Sequence, residues 1–314
     1  MRAVTRTACV LIAFGLAGCA TFDAWRFKPS PQSGQPKGKF ALVMAGPGTT
    51  SDPQSDALWS MLGKESGLSS VLRSDCLVDL PRSGQVEPHL APAAVPILAG
   101  LAEGGFNALA DRANRQIQEI VDSAQVSYAL TTAVPPSQLA KTTCVMFVRF
   151  SEDKNKAASL GLLAVLRLRP EASATDAKTS VLVLEPIYVR MYNAVAVTQD
   201  VAEPVASVSI SLSIKAVGRQ GAQVERLLPA GEGVVTVPDV KIGQKAEARC
   251  IEHTCKRSDL VPYPTERGTL SFTVSVTEQG NTGFDDKAAT AELAAIKEAL
   301  GPAIGDAVKA KFGD

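Results

Sequence analysis

The sequence is poor in the residues that most chemistry needs. Only two of its 314 residues are histidine, aromatic residues make up 5%, and 32 basic side chains balance 32 acidic ones for a formal charge of +0. Without a basic surplus there is no electrostatic footprint for a phosphate backbone, so nucleic acid is not an expected partner. With so few rings, an aromatic sugar platform would have to be assembled from scattered residues. The chain has no Gly-x-Ser-x-Gly elbow, and the glycine-rich "AGPGTTSD" at 45–52 has neither the Gly-Lys-Ser/Thr ending of a phosphate loop nor the G-x-G-x-x-G of a dinucleotide site. That stretch reads as a strand-to-helix connection. A serine hydrolase would have to use His89 or His253, and no pair of carboxylates stands out for glycoside cleavage.

Long apolar runs are also missing near the start. Arg2 and Arg6 precede nine uncharged residues, Ala8 to Leu16, which is too short to span a bilayer and the right length for a secretory segment. The run ends in Leu16-Ala17-Gly18-Cys19, which resembles the lipobox of bacterial lipoproteins. The resemblance implies cleavage after residue 18 and acylation of Cys19, with palmitate-type chains as the link to membrane lipid. Ala20 after the cysteine, in place of aspartate, implies sorting to the outer membrane, with the protein on its periplasmic face. Each buried CH2 contributes about 0.8 kcal/mol, so more than one chain makes the anchor stable.

Three segments follow from this reading: a signal peptide over 1–18, a lipidated flexible tether over 19–39 and a single periplasmic domain over 40–314. The tether is rich in Pro, Ser, Gly and Lys and has no apolar periodicity. Its Phe22, Trp25 and Phe27 suit either the membrane interface or the domain's own surface. Past Cys19 the cysteines are Cys76, Cys144, Cys250 and Cys255, an even number in an oxidising compartment, which predicts two disulfides. Four cysteines allow three connectivities. Cys250 and Cys255 close the shortest loop, leaving Cys76 for Cys144.

The domain reads as α+β. A strand at 40–45 precedes a helix from Pro53 to about residue 63, capped by Asp52, and a second strand at 76–80. Apolar residues Val95, Leu98, Leu101, Leu109, Ile117 and Ile120 recur at helical spacing between Pro92 and Ala124. From residue 126 the period changes. The segments 144–150, 160–168, 179–198, 205–217, 233–242 and 269–276 are rich in β-branched and aliphatic residues, and in 206–216 apolar residues alternate with Ser207, Ser209, Ser211, Ser213 and Lys215. That alternation marks a strand with one wet face, the habit of antiparallel sheets. The chain closes on an amphipathic helix from Asp286 to Phe312, with Pro302 as a kink. The expected architecture is a predominantly antiparallel sheet or sandwich packed against two long amphipathic helices.

Other motifs carry little. "CIEHTC" could offer Cys250, His253 and Cys255 to zinc, but the spacing is not a C-x2-C knuckle and oxidation favours the disulfide. Ser151 and Lys154 match Ser-x-x-Lys, with "KTS" at 178–180, yet the interval is too short for a penicillin-binding fold. Gly100 and Gly104 form a G-x-x-x-G interrupted by Glu103, as in a soluble helix packed closely on a sheet. No metal and no cofactor is expected. Export and anchoring are explicit while catalytic groupings are not, so the expected function is a non-catalytic binding or envelope-assembly lipoprotein with an envelope protein as partner. The alternatives are a periplasmic hydrolase of cell-wall or glycan substrates and an inhibitor or immunity-type lipoprotein.

Overall fold

A computed structural model of the chain describes residues 20, 23–24, 26–36, 38–47, 62–63, 65, 67–77, 106–152, 158–171, 179–219, 225–245, 247–251, 254–265, 269–292 and 294–295. Within them lie nine strands: β1 (Lys39–Ala45), β2 (Gln125–Val134), β3 (Cys144–Glu152), β4 (Ala158–Glu171), β5 (Thr179–Met191), β6 (Val205–Arg219), β7 (Glu225–Lys241), β8 (Val261–Pro264) and β9 (Leu270–Gly280). The helices are α1 (Leu68–Asp75), α2 (Phe106–Ala124) and α3 (Pro136–Leu139). Five strands form one sheet in the order β1-β3-β4-β5-β8, and four form another in the order β2-β9-β6-β7. Every pairing is antiparallel.

The two sheets bury their inner faces on each other. Val145, Phe147, Leu162, Ala164 and Leu184 of the first meet Val208, Ile210, Leu212, Phe272, Val274 and Val276 of the second in one core. At one edge Phe40 of β1 stacks on Tyr128 of β2 with ring centroids 4.6 Å apart. At the other edge β7 passes close over β8: a Cβ at Gly231 would lie 2.4 Å from the Pro262 carbonyl oxygen, so only glycine fits.

The five-stranded sheet is covered on its other face as well. Met146, Val148, Leu163, Val165 and Tyr188 pack there with Leu68, Val71 and Leu72 of α1. Burial on both faces explains why β3, β4 and β5 read as continuous apolar runs, whereas β6 and β9, wet on one face, alternate. Two disulfides are present: Cys76–Cys144 ties the end of α1 to the start of β3, and Cys250–Cys255 closes a short loop within the connection from β7 to β8.

The α+β expectation is overturned, because the described chain is a mostly β structure of two sheets with short helices, not a sheet packed on two long ones. A second sheet covers the inner face and the eight-residue α1 packs on the outer face of the first, so among the described residues neither of these faces is covered by a long helix. The stripe of α2 finds a different partner: Ile117 packs with Ala24 and Ala289 in a small separate cluster, flanked by Val121 and Phe284. Of the long helix expected over 92–124, residues 92–105 lie outside the described residues. The closing helix is described only over 286–292 and 294–295. Cys76, expected to begin a strand, instead follows the last turn of α1 and donates its amide to the Leu72 carbonyl. The helix expected over 53–63 and the residues 78–80 fall almost wholly outside the described set.

Part of the tether segment lies against the domain. Ser30 donates its amide to the Thr198 carbonyl at 2.8 Å, Ala194 donates to Gln32 at 2.8 Å and Gln35 to Ala194 at 3.1 Å. Phe27 meets Phe284 edge-on at 6.2 Å, so this ring packs on the domain. Phe22, Trp25 and Cys19 lie outside the described residues.

Candidate functional site

The most deeply buried charges of the described residues meet between the two sheets. Arg149 of β3 and Glu278 of β9 lie between the sheets, both 0% exposed, with Nε to Oε1 at 3.0 Å. Arg149 also donates Nη1 to Asn193 Oδ1 at 2.9 Å. Glu278 Oε2 accepts the Val195 amide at 2.6 Å, and the Tyr128 hydroxyl donates to Oε1. Every polar arm of the pair is occupied from within, so the network clamps the sheets together. Gly161 makes room for it, since a Cβ there would sit 2.4 Å from Arg149 Nη1. Other carboxylates are held in the same manner. Glu185 accepts Arg167 Nη2 at 2.6 Å and Arg257 Nε at 3.2 Å, while Glu65 accepts Arg190 Nη1 at 3.0 Å and the Tyr192 hydroxyl.

These networks set an alkaline limit on stability. Burial first, and the Glu278 charge second, raise the Tyr128 hydroxyl far above its ordinary range; burial and the Glu65 hydrogen bond do the same to Tyr192. Both are acids with raised pKa, so the fold holds them neutral and their contribution is complete below the unfolded value of about 10. Above about pH 10 the unfolded chain releases protons that the folded chain keeps. Stability is then expected to fall by about 1.4 kcal/mol per pH unit for each tyrosine. Urea midpoints followed across pH 9 to about 12 check this, with tyrosinate absorbance rising only together with unfolding.

The residues singled out from the sequence do not converge on a reactive centre. Cys250 and Cys255 are joined to each other, which commits both thiolates, and His253 lies outside the described residues. Among the described residues no group of three or more His, Cys, Asp or Glu is placed to hold a metal. Ser151 is buried in β3, accepts a hydrogen bond from Asn193 Nδ2 at 2.8 Å and lies 2.9 Å from Ser159 Oγ. Its position within a strand is unlike the helical nucleophile of the Ser-x-x-Lys pattern. Lys154, His89, Gly100, Gly104 and the residues 48–52 lie outside the described set. An open cleft of about 940 Å3 runs beside residues 30–32, 200–205, 239, 241–245 and 247–249, and two of its wall residues, Lys241 and Glu203, pair with each other at 2.8 Å.

The outer face of the four-stranded sheet is the feature with chemistry left over. In β6 the buried Val208, Ile210 and Leu212 force Ser209, Ser211 and Ser213 outward. In β9 the buried Phe272, Val274 and Val276 do the same for Ser271, Thr273, Ser275 and Thr277. Strand register then aligns the hydroxyls across strands. Ser127, Thr277, Ser209 and Thr236 form one row over β2, β9, β6 and β7, and Thr131, Thr273 and Ser213 form another that ends at Glu232. Between them runs Ala129, Ser275, Ser211 and Val234. Hydroxyls touch along the rows: Ser127 to Thr277 at 2.8 Å, Thr131 to Thr273 at 2.9 Å and Ser209 to Thr236 at 3.0 Å. The lattice spacing is about 4.8 Å across strands and about 6.8 Å along them.

Among the described residues the charges on this face lie at its margins, at Glu232 on β7, Lys215 on β6 and Lys241 at the end of β7 opposite Val205. Serine is not a favoured strand residue, and a face serving solubility alone would draw on Lys and Glu. The serine alternation of 205–216 was visible in the sequence. What was missed is that β9 and β2 extend it sideways, and the signal for that was the matching alternation in 270–277. Comparison of the chain with protein-family models, with curated proteins and with solved structures finds no match.

Proposed function

We propose that this chain is a lipid-anchored, non-catalytic binding module of the outer membrane, facing the periplasm, and that it engages an envelope component through the outer face of the four-stranded sheet. The observation that carries the reading is the hydroxyl lattice itself. Among the described residues it is a broad surface on which polar groups are presented outward in register, while the carboxylates Glu65, Glu185 and Glu278 are taken up by arginine and tyrosine. Support for the anchor comes from Leu16-Ala17-Gly18-Cys19 at the end of a short uncharged run. Ala24 packs against Ile117 and Ala289 only five positions after Cys19, and residues 28–35 dock on 194–200, which would hold the sandwich near the bilayer.

Fractionation tests the anchor. The native chain is expected in the outer-membrane fraction, released only by detergent, and the Cys19→Ala form in the soluble periplasm. Equal recovery of both forms in the soluble fraction contradicts it.

A further inference from the structure

We infer that the occupant of the hydroxyl face is an uncharged, hydroxyl-rich polymer, a neutral glycan strand, an inference that rests on the binding-module reading above. A hydroxyl both donates and accepts, so a lattice of them is committed to no single ligand polarity. The alcohol and amide groups of a glycan have the same dual character. Charge complementarity narrows the choice. A polyanion laid across the rows would lose hydration at the centre, where only Ser, Thr, Ala129 and Val234 meet it, and it would face Glu232 at the margin. A polycation would gain that one carboxylate and meet Lys215.

Shape excludes a second class of partner. An amphipathic helix docks its apolar stripe in a hydrophobic groove, and this surface offers Ala129 and Val234 separated by two serines. Short side chains keep the centre low across four strands, so a long chain can lie over it without a pocket. Repetition matters too: a polymer with a repeating unit can meet successive rows with the same groups, and water can bridge where the sheet's twist opens a gap.

The test uses the full chain as its Cys19→Ala form, sedimented with insoluble chitin as a purely neutral glycan and with peptidoglycan sacculi, which add charged peptides. The inference predicts binding to both that survives about 1 M salt, where charges are screened beyond about 3 Å. Ser211→Glu and Ser275→Glu are each expected to lower the bound fraction about ten-fold or more, while Val201→Lys, on the exposed loop before β6 and outside the hydroxyl rows, leaves it unchanged. Thermal unfolding shows that the variants are folded, and Ser211→Ala provides a milder version should a charge disturb β6. Binding to sacculi alone that is abolished by salt overturns the inference in favour of the charged peptide. Binding indifferent to Ser211 and Ser275 overturns it as well. If neither polymer binds but a protein is captured through Ser211 in cells, the glycan assignment fails and the binding-module reading stands.

Discussion

Glu278→Ala is expected to destabilise the protein by about 3 to 5 kcal/mol, the usual cost of leaving a buried charge without its partner. The substitution orphans more than Arg149. It also removes the acceptor for the Val195 amide and for the Tyr128 hydroxyl, both buried between the sheets. For that reason the double variant Arg149→Met with Glu278→Leu should recover only part of the loss, unlike buried pairs whose replacement by apolar residues is neutral. Glu278→Gln keeps an acceptor and should fall between wild type and alanine. Urea denaturation of the four proteins, read as a double-mutant cycle, checks the order. A double variant as stable as wild type would mean that the pair, not the wider network, holds the sheets.

Removing the Cys76–Cys144 bridge is expected to cost about 4 kcal/mol, because it spans 68 residues and withdraws a large loop from the unfolded ensemble. The Cys250–Cys255 bridge spans 5 residues, and the same chain-entropy argument gives about 2 kcal/mol. Both ends of the first bridge are fully buried, where α1 meets β3. Paired serine variants, compared by denaturant midpoint with the oxidised wild type, should therefore separate by about a factor of two. Equal losses would show that local packing outweighs loop closure.

Much of the β architecture could be read from local pattern, and the error in fold class has a specific origin. The alternation in β6 and β9 and the unbroken apolar runs of β3, β4 and β5 correctly distinguish strands wet on one face from strands covered on both. Helical periodicity over 92–124 and 286–312 asks for a partner, the sheet's inner face or, for the closing stripe, the long earlier helix, and the expected architecture packs both helices on the sheet. Periodicity states that a stripe must be covered, not by what: Ile117 of α2 is covered by Ala24 and Ala289, from the two ends of the chain.

The buried clamp was half legible. An arginine next to the end of "CVMFVRF" interrupts an apolar run and signals a charge carried into the core. Its partner is 129 residues away, and nothing local points to Glu278. The hydroxyl face follows the same logic, since Ser127 and Thr277 touch at a separation of 150 residues. Each strand shows its own alternation in sequence. Their fusion into one surface depends on strand order, which sheet register sets and local spacing does not.

The most direct measurement of the central claim is photo-crosslinking in intact cells from a diazirine side chain placed at Ser211, with Val201, on the loop before β6, as the position outside the hydroxyl rows. An anchored binding module that works through this face predicts one dominant adduct from Ser211 and none from Val201, lost when Cys19→Ala releases the chain from the membrane. Adducts of equal yield at both positions, or none at either, would contradict it.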